Sequence, residues 1–203
     1  MIVTADALLL VDLQQDFMPG GALAVPGGDQ VVPVANAKMK AAKHVVATRD
    51  WHPPGHGSFA SAHPGLSIGD TFQLSGLDQV AWPDHCVQGT AGAEFCAGLD
   101  RSRIDKIVDK GTDPKVDSYS AFFDNGGQNP TGLDAHLKAI GARSLEVIGL
   151  ATDYCVLFTV LDARRLGYAV RVDLAGCRGV ELNPGDAERA VEQMRRAAAT
   201  VVQ

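Results

Sequence analysis

The chain has 203 residues, 46% hydrophobic and 21% charged, with a formal net charge of -6. This length suits one α/β domain, and the ordinary apolar-to-charged balance argues against global disorder. The acidic balance without clustered lysine and arginine argues against nucleic acid as a partner, and no apolar run reaches the roughly 20 residues that span a bilayer.

In chain order, Leu8 to Val11 reads as a buried strand, and Met1 to Val11 lacks the basic start, long core and cleavage site of a signal peptide. Val31 to Ala42 reads as a helix and Val45 to Thr48 as a second strand. From about 51 to 105 the chain is rich in Gly, Pro, His and Ser, and a connection that long signals a functional insertion. Strand patterns return at Lys106 to Asp109, Leu145 to Leu150, Ala169 to Leu174 and Thr200 to Val202. Helical patterns at Gly132 to Ile140, Asp153 to Leu166 and Gly185 to Ala199 separate them, with Gly167 and Asn183-Pro184 as stop and start signals. This alternation predicts a three-layer α/β/α fold with a central, mostly parallel sheet. One domain is expected over 1–203, with a metal-site and substrate-site insertion at 51–105. Four cysteines without a CxxC pair suggest reduced thiols and a cytoplasmic location.

Ligands in open parallel sheets bind outside the carboxyl ends of the strands. Asp12, Asp50 and Lys110 end or follow the first three strands, and Cys155 follows the fourth. Their convergence on one sheet edge is a stronger signal than any one of them. Cys155 lies where an apolar strand turns into a helix, a position expected to favour the thiolate and to offer N-H groups, such as those of Ala151 and Cys155, to an oxyanion. Asp12, partly buried, would have raised proton affinity and suit a general base. Lys110 would hold the thiolate and orient that carboxylate.

Asp50-Trp51-His52-Pro53-Pro54-Gly55-His56 places a carboxylate and two imidazoles on a bent backbone, a donor set for zinc, iron or manganese. His85, in Trp82-Pro83-Asp84-His85-Cys86, completes a three-ligand site that leaves positions open; His56 is a fourth ligand or a supporting partner. His44, His63 and His136 stand outside it. Phe17, Trp82, Tyr119, Phe122 and Phe123 suit a flat apolar slot for a small aromatic ligand, with Phe17 and Trp82 weighing most because each lies within a few residues of a proposed catalytic or metal residue.

The motifs Val11-Asp12-Leu13-Gln14-Gln15-Asp16-Phe17, Asp50 to His52 continuing to Ala60, Trp82 to Thr90, Lys110-Gly111-Thr112-Asp113, Asp117 to Phe122 and Gly149 to Val156 resemble the cysteine hydrolases of the isochorismatase-like fold. Within them the likeness is to bacterial nicotinamidases, which also act on pyrazinamide, and it covers essentially the whole chain. The resemblance implies a catalytic set of Asp12, Lys110 and Cys155, and one divalent metal, zinc first and iron or manganese as alternatives, on Asp50, His52 and His85. It also implies a cis peptide before Ala151 and a substrate slot of Phe17, Leu23, Trp82, Leu150, Ala151 and Tyr154. Cys96 departs from the histidine found in many relatives, and no catalytic position departs. The implied partner is a small aromatic amide; a homo-oligomer is left open. Ureidoacrylate or carbamoylsarcosine amidases and the isochorismatases are the competing enzymes, and the full Asp and His set discriminates against them. A thiol redox protein would need a second cysteine close to Cys155.

Overall fold

The computed structural model describes residues 5–203, so the first four residues of the stretch read for a signal peptide lie outside it. The strands are β1 (Ala7–Val11), β2 (Val45–Asp50), β3 (Thr71–Leu74), β4 (Leu77–Val80), β5 (Lys106–Lys110), β6 (Ser144–Leu150), β7 (Ala169–Arg178) and β8 (Thr200–Val202). The helices are α1 (Val31–Met39), α2 (Leu133–Ala139), α3 (Leu157–Arg165) and α4 (Asp186–Arg196).

Six strands form one sheet in the order β5-β2-β1-β6-β7-β8, and every adjacent pair is parallel. Parallel strands covered on both faces must be apolar throughout, and all five residues of β1 are buried. Each buried leucine there contributes on the order of 1.5–3 kcal/mol of transfer free energy. The chain moves outward from β1 to β2 and β5, then crosses back to β6 and continues to β7 and β8. Right-handed crossovers in opposite directions along a sheet put their helices on opposite faces, which separates α1 from α3 and α4. Lys38 of α1 pairs across its face with Glu146 of β6 at 2.8 Å and Asp173 of β7 at 2.6 Å.

The direction of travel reverses between β1 and β6, the place where such sheets open a crevice at their carboxyl ends. Close approach there needs Gly149: a Cβ on it would lie 2.1 Å from the Val11 carbonyl oxygen.

Four elements depart from expectation. β2 and β5 run on to Asp50 and Lys110, which pair in register, because these charged residues gain partners inside the fold. β7 continues to Arg178, since its register against β6 shifts from Val147↔Val172 to Gly149↔Cys177 through an irregularity that absorbs extra residues. The helix expected from Asp153 begins instead as a wide π turn, Thr152–Val156, in which Val156 N-H donates to the Ala151 carbonyl at 3.0 Å. The insertion is ordered and holds the antiparallel hairpin β3-β4, whose two-residue Ser75-Gly76 loop has positive φ at both positions. The Trp82 N-H donates to the Ser58 carbonyl at 2.9 Å and ties the hairpin to the segment after β2.

Candidate active site

Lys110, the last residue of β5, is 1% exposed. Burying an ammonium is costly unless it is paired and hydrogen-bonded, and its Nζ is enclosed by acceptors. It lies 2.9 Å from Asp12 Oδ2, 2.5 Å from Asp50 Oδ1, and 3.3 Å from Cys155 Sγ, and donates to the Ser118 carbonyl at 2.9 Å. Burial alone would depress its proton affinity, but the two carboxylates more than offset this and hold it well above the usual lysine value. The lysine is therefore a fixed cation at the meeting point of three strand ends.

Asp12 takes the left-handed backbone region with φ of 50°, which aspartate tolerates in tight turns. Its Oδ1 accepts the Thr48 hydroxyl at 2.6 Å, and its N-H donates to Thr48 Oγ1 at 3.2 Å. Burial pushes its pKa up to about 6, against the pull of Lys110. A carboxylate so tuned changes protonation near neutrality, as an acid-base group requires.

The Cys155 thiol is pushed well above its ordinary range by burial, opposed by Lys110 and reinforced by the nearby carboxylates. Burial here outweighs the helix-start effect that was expected to favour the thiolate. The sulfur sits in an enclosed pocket on a π turn, with carboxylate oxygens of Asp12 and Asp50 all within 4.8 Å of it and of one another. Its proton has an acceptor at hand in Asp12.

Asp50, His52 and His85 bring one ligand atom each to within 4.8 Å of the others, and all three are buried. His52 Nδ1 donates to the Gly111 carbonyl at 2.9 Å, and His85 Nδ1 to the Pro83 carbonyl at 2.8 Å. Both Nε2 lone pairs are thereby left facing Asp50 Oδ2, at 3.8 Å and 3.7 Å, and His52 Nε2 is buried without a hydrogen-bond partner. Backbone carbonyls that fix the far nitrogen are the usual support of metal-bound histidine. The donor set fits a divalent cation. Burial drives the His52 pKa down to about 4, keeping the imidazole neutral, while His85 is raised because Asp50 outweighs its desolvation. Asp50 is held far below the carboxylate range, since Lys110 and both histidines overcome its burial. Gly111 is required beside this cluster, because a Cβ there would stand 2.5 Å from the His52 ring.

His56 is brought to the cluster, with its ring centroid 4.4 Å from that of His52, but both its nitrogens are engaged. Nδ1 meets the Ser58 hydroxyl at 2.8 Å and Nε2 donates to the Asp113 carbonyl at 2.8 Å. Among the described residues, His52, His56 and Asp117 also bring one ligand atom each to within 4.8 Å of the others. His44, His63 and His136 stand outside the Asp50 cluster.

Beside the cysteine lies a slot lined by Phe17, Leu23, Trp82, Tyr119, Ala151 and Tyr154, and also by Asp117 and Val180. Leu150 is the exception. It is fully buried, with its Cδ1 3.4 Å from the point a Gly28 Cβ would occupy, and it reaches the slot only through its cis peptide to Ala151.

Two supports escaped the sequence. Gln14 is fully buried: its Nε2 donates to the carbonyls of Asp50 at 2.7 Å and Ala93 at 2.8 Å, and its Oε1 accepts the Asp50 N-H at 2.8 Å. Thr48, also fully buried, holds Asp12. The available signal was a polar side chain at the end of an apolar strand, or just beyond it, facing the same edge as the charged groups.

The fold and these groups define a class: a parallel α/β enzyme with a thiol, a carboxylate and an ammonium at the switch point of its sheet and a cation-binding cluster alongside. The Isochorismatase domain description matches residues 6–203, and the chain belongs to the isochorismatase family. It is 52% identical over 199 residues to the nicotinamidase of Escherichia coli strain K12, covering 96% of this chain and 93% of that one. Among solved structures, an Acinetobacter baumanii nicotinamidase pyrazinamidase superposes with a TM-score of 0.95 at 40% identity, covering 100% and 98% of the two chains. The pyrazinamidase of Pyrococcus horikoshii in complex with zinc gives 0.77 at 38% identity, covering 97% and 98%.

Proposed function

We propose that this protein is a metal-dependent nicotinamidase, hydrolysing nicotinamide to nicotinate and ammonia through a thioester on Cys155, and acting also on pyrazinamide. Its place would be NAD salvage in the cytoplasm. The observation that carries the proposal is Lys110 Nζ held at once against Asp12, Asp50 and Cys155 Sγ, beside a His52 Nε2 that is buried without a hydrogen-bond partner. No helix among the described residues is long and apolar enough to cross a membrane.

Asp50, His52 and His85 would hold the ion, with His56 buttressing His52; zinc suits the donors, as in the Pyrococcus pyrazinamidase, and iron and manganese are the alternatives. When bound, it supplies a Lewis-acidic anchor for the ring nitrogen of the substrate. The protein's own groups do the rest. The flat ring enters between Phe17 and the aromatic wall of Trp82 and Tyr154, with Leu23 and Ala151 closing the sides, which sets the carboxamide carbon against Cys155 Sγ.

Asp12, ionised above about pH 6, takes the thiol proton as sulfur bonds to the carbonyl carbon, and Lys110 stabilises the negative charge that passes from carboxylate to sulfur. Backbone N-H groups of Ala151 and Cys155 are assigned to the oxyanion. Loss of one such donor costs about 3 kcal/mol in comparable enzymes. The tetrahedral species collapses as Asp12 returns the proton to nitrogen, so ammonia leaves and the thioester remains. Water then loses a proton to Asp12, attacks the thioester carbon, and releases nicotinate with the thiol restored.

The test is ammonia release from nicotinamide by the purified protein, with Cys155→Ala retaining fold and metal but losing activity. An unchanged rate in Cys155→Ala would refute the mechanism.

A further inference from the structure

Strand β4 is an outer hairpin strand whose one inward-facing side chain is polar. Gln79 is 3% exposed, whereas Leu77, Asp78 and Val80 are partly or fully exposed. A buried amide is costly unless its donors and acceptor are occupied, and this one is engaged on every side. The two hydrogens of Gln79 Nε2 are shared among three acceptors, the Tyr119 hydroxyl at 2.9 Å, Asp117 Oδ2 at 3.0 Å and the Val80 carbonyl at 2.9 Å, while its Oε1 faces Asn125 Nδ2 at 3.5 Å. The Tyr119 oxygen accepts a second bond from Trp82 Nε1 at 3.0 Å. Asp117 also accepts the Ser118 N-H at 2.7 Å, and Asn125 Oδ1 accepts the Tyr119 N-H at 2.9 Å.

This network converges on the substrate slot from behind. Trp82, Tyr119 and Tyr154 stand mutually edge-on, with centroids 6.4, 4.8 and 5.4 Å apart, and all three line the slot. Tyr154 is fixed by the turn that carries Cys155. Trp82 and Tyr119 come from separate loops, and a polar link between them runs through the Tyr119 oxygen. That oxygen has its two acceptor positions filled by Trp82 and Gln79, so its ring position is set by both.

We propose that Gln79 is a positioning residue of the slot: it fixes Tyr119 and Asp117 together, aligns Trp82 through the shared hydroxyl, and so sets selectivity for flat six-membered-ring amides over aliphatic ones. Gln79 touches no substrate. It acts through Tyr119. The proposal rests on the nicotinamidase assignment for its kinetic consequence, while its structural consequence is independent of any activity.

Two measurements on the full-length, metal-loaded protein separate these. In the first, ¹⁵N-¹H spectra follow the indole N-H of Trp82, assigned by Trp51→Phe, since the chain has two tryptophans. Gln79→Met keeps the size but removes both donors, and it should shift that resonance and speed its exchange with solvent while leaving Trp51 in place; an unmoved Trp82 signal overturns the proposal whatever the enzyme's activity. In the second, Gln79→Met should raise KM for nicotinamide by about five- to tenfold, the effect of one buried neutral hydrogen bond, with kcat within about twofold. It should leave the rate on a small aliphatic amide nearly unchanged, narrowing the preference for the ring. In a Tyr119→Phe background the same substitution should add little to KM, because the path between them is already cut. Additive effects, or kcat falling with KM unchanged, would overturn the assignment. If Gln79→Met does not fold, Gln79→Asn keeps the amide but is too short to reach Asp117 and Tyr119 together, and the same resonance and KM changes are expected at smaller size. If wild-type protein releases no ammonia from nicotinamide, the assigned activity fails while the spectral test still decides the positioning role.

Discussion

Replacing Thr48 with valine removes one hydroxyl from a fully buried position and almost no volume, and the consequence can be worked from the geometry. The hydroxyl donates to Asp12 Oδ1 at 2.6 Å, a bond to the charged form of the carboxylate, and it lowers the Asp12 pKa against the burial that lifts it to about 6. Hydrogen bonds to charged groups contribute about 1.5–3 kcal/mol, and one pKa unit corresponds to about 1.4 kcal/mol. Thr48→Val should therefore move the acid limb of kcat/KM upward by about one to two units, from near pH 6 toward pH 7 to 8. The sign follows from the donor: without it the carboxylate binds its proton more tightly, so the base is lost at higher pH. At pH 6.5 the variant should be about 3- to 25-fold slower, by the same arithmetic, and should recover most of its rate near pH 9. The check is a pH profile of ammonia release with subsaturating nicotinamide. An acid limb that stays near pH 6 would refute the assignment of Asp12 as the titrating base.

Lys110→Met should leave Asp12 and Asp50 as close, uncompensated carboxylates and cost on the order of 3–5 kcal/mol of stability, measurable by chemical denaturation; a loss under 1 kcal/mol would contradict the picture of a buried charged hub. His52→Ala should lose metal by elemental analysis and raise KM more than it lowers kcat, whereas full retained metal would count against the ligand set. Gln14→Leu leaves the Asp50 N-H and carbonyl without their side-chain partners, so metal affinity should fall by about 10- to 100-fold in a chelator competition, as for other supports of metal ligands. Equal affinity would show that Asp50 is placed by β2 alone.

Much of the sheet was legible because its strands are apolar throughout, and much of the site because charged residues at strand ends interrupt that pattern. Asp12, Asp50, Lys110 and Cys155 were found this way, and the structure brings all four together. The order β5-β2-β1-β6-β7-β8 was not legible, since no local pattern records which strand neighbours which. The β3-β4 hairpin was missed although Ser75-Gly76 is a turn dipeptide, because its strands alternate over only four residues each. Gln14, Thr48, Gln79 and Asp117 were passed over for one reason: a short polar side chain reads as surface until its buried partners are seen. The proton affinity of Cys155 depends on enclosure and on carboxylates from other strands, and neither is local in sequence.

The proposed turnover passes through a covalent bond at Cys155. Acid-quenched turnover of nicotinamide, followed by peptide mapping in a mass spectrometer, tests it directly. One nicotinoyl group on the peptide carrying Cys155, present during turnover and gone once substrate is exhausted, is the predicted result. Acylation of any other residue, or sustained turnover with that cysteine unmodified at every quench time, would contradict it.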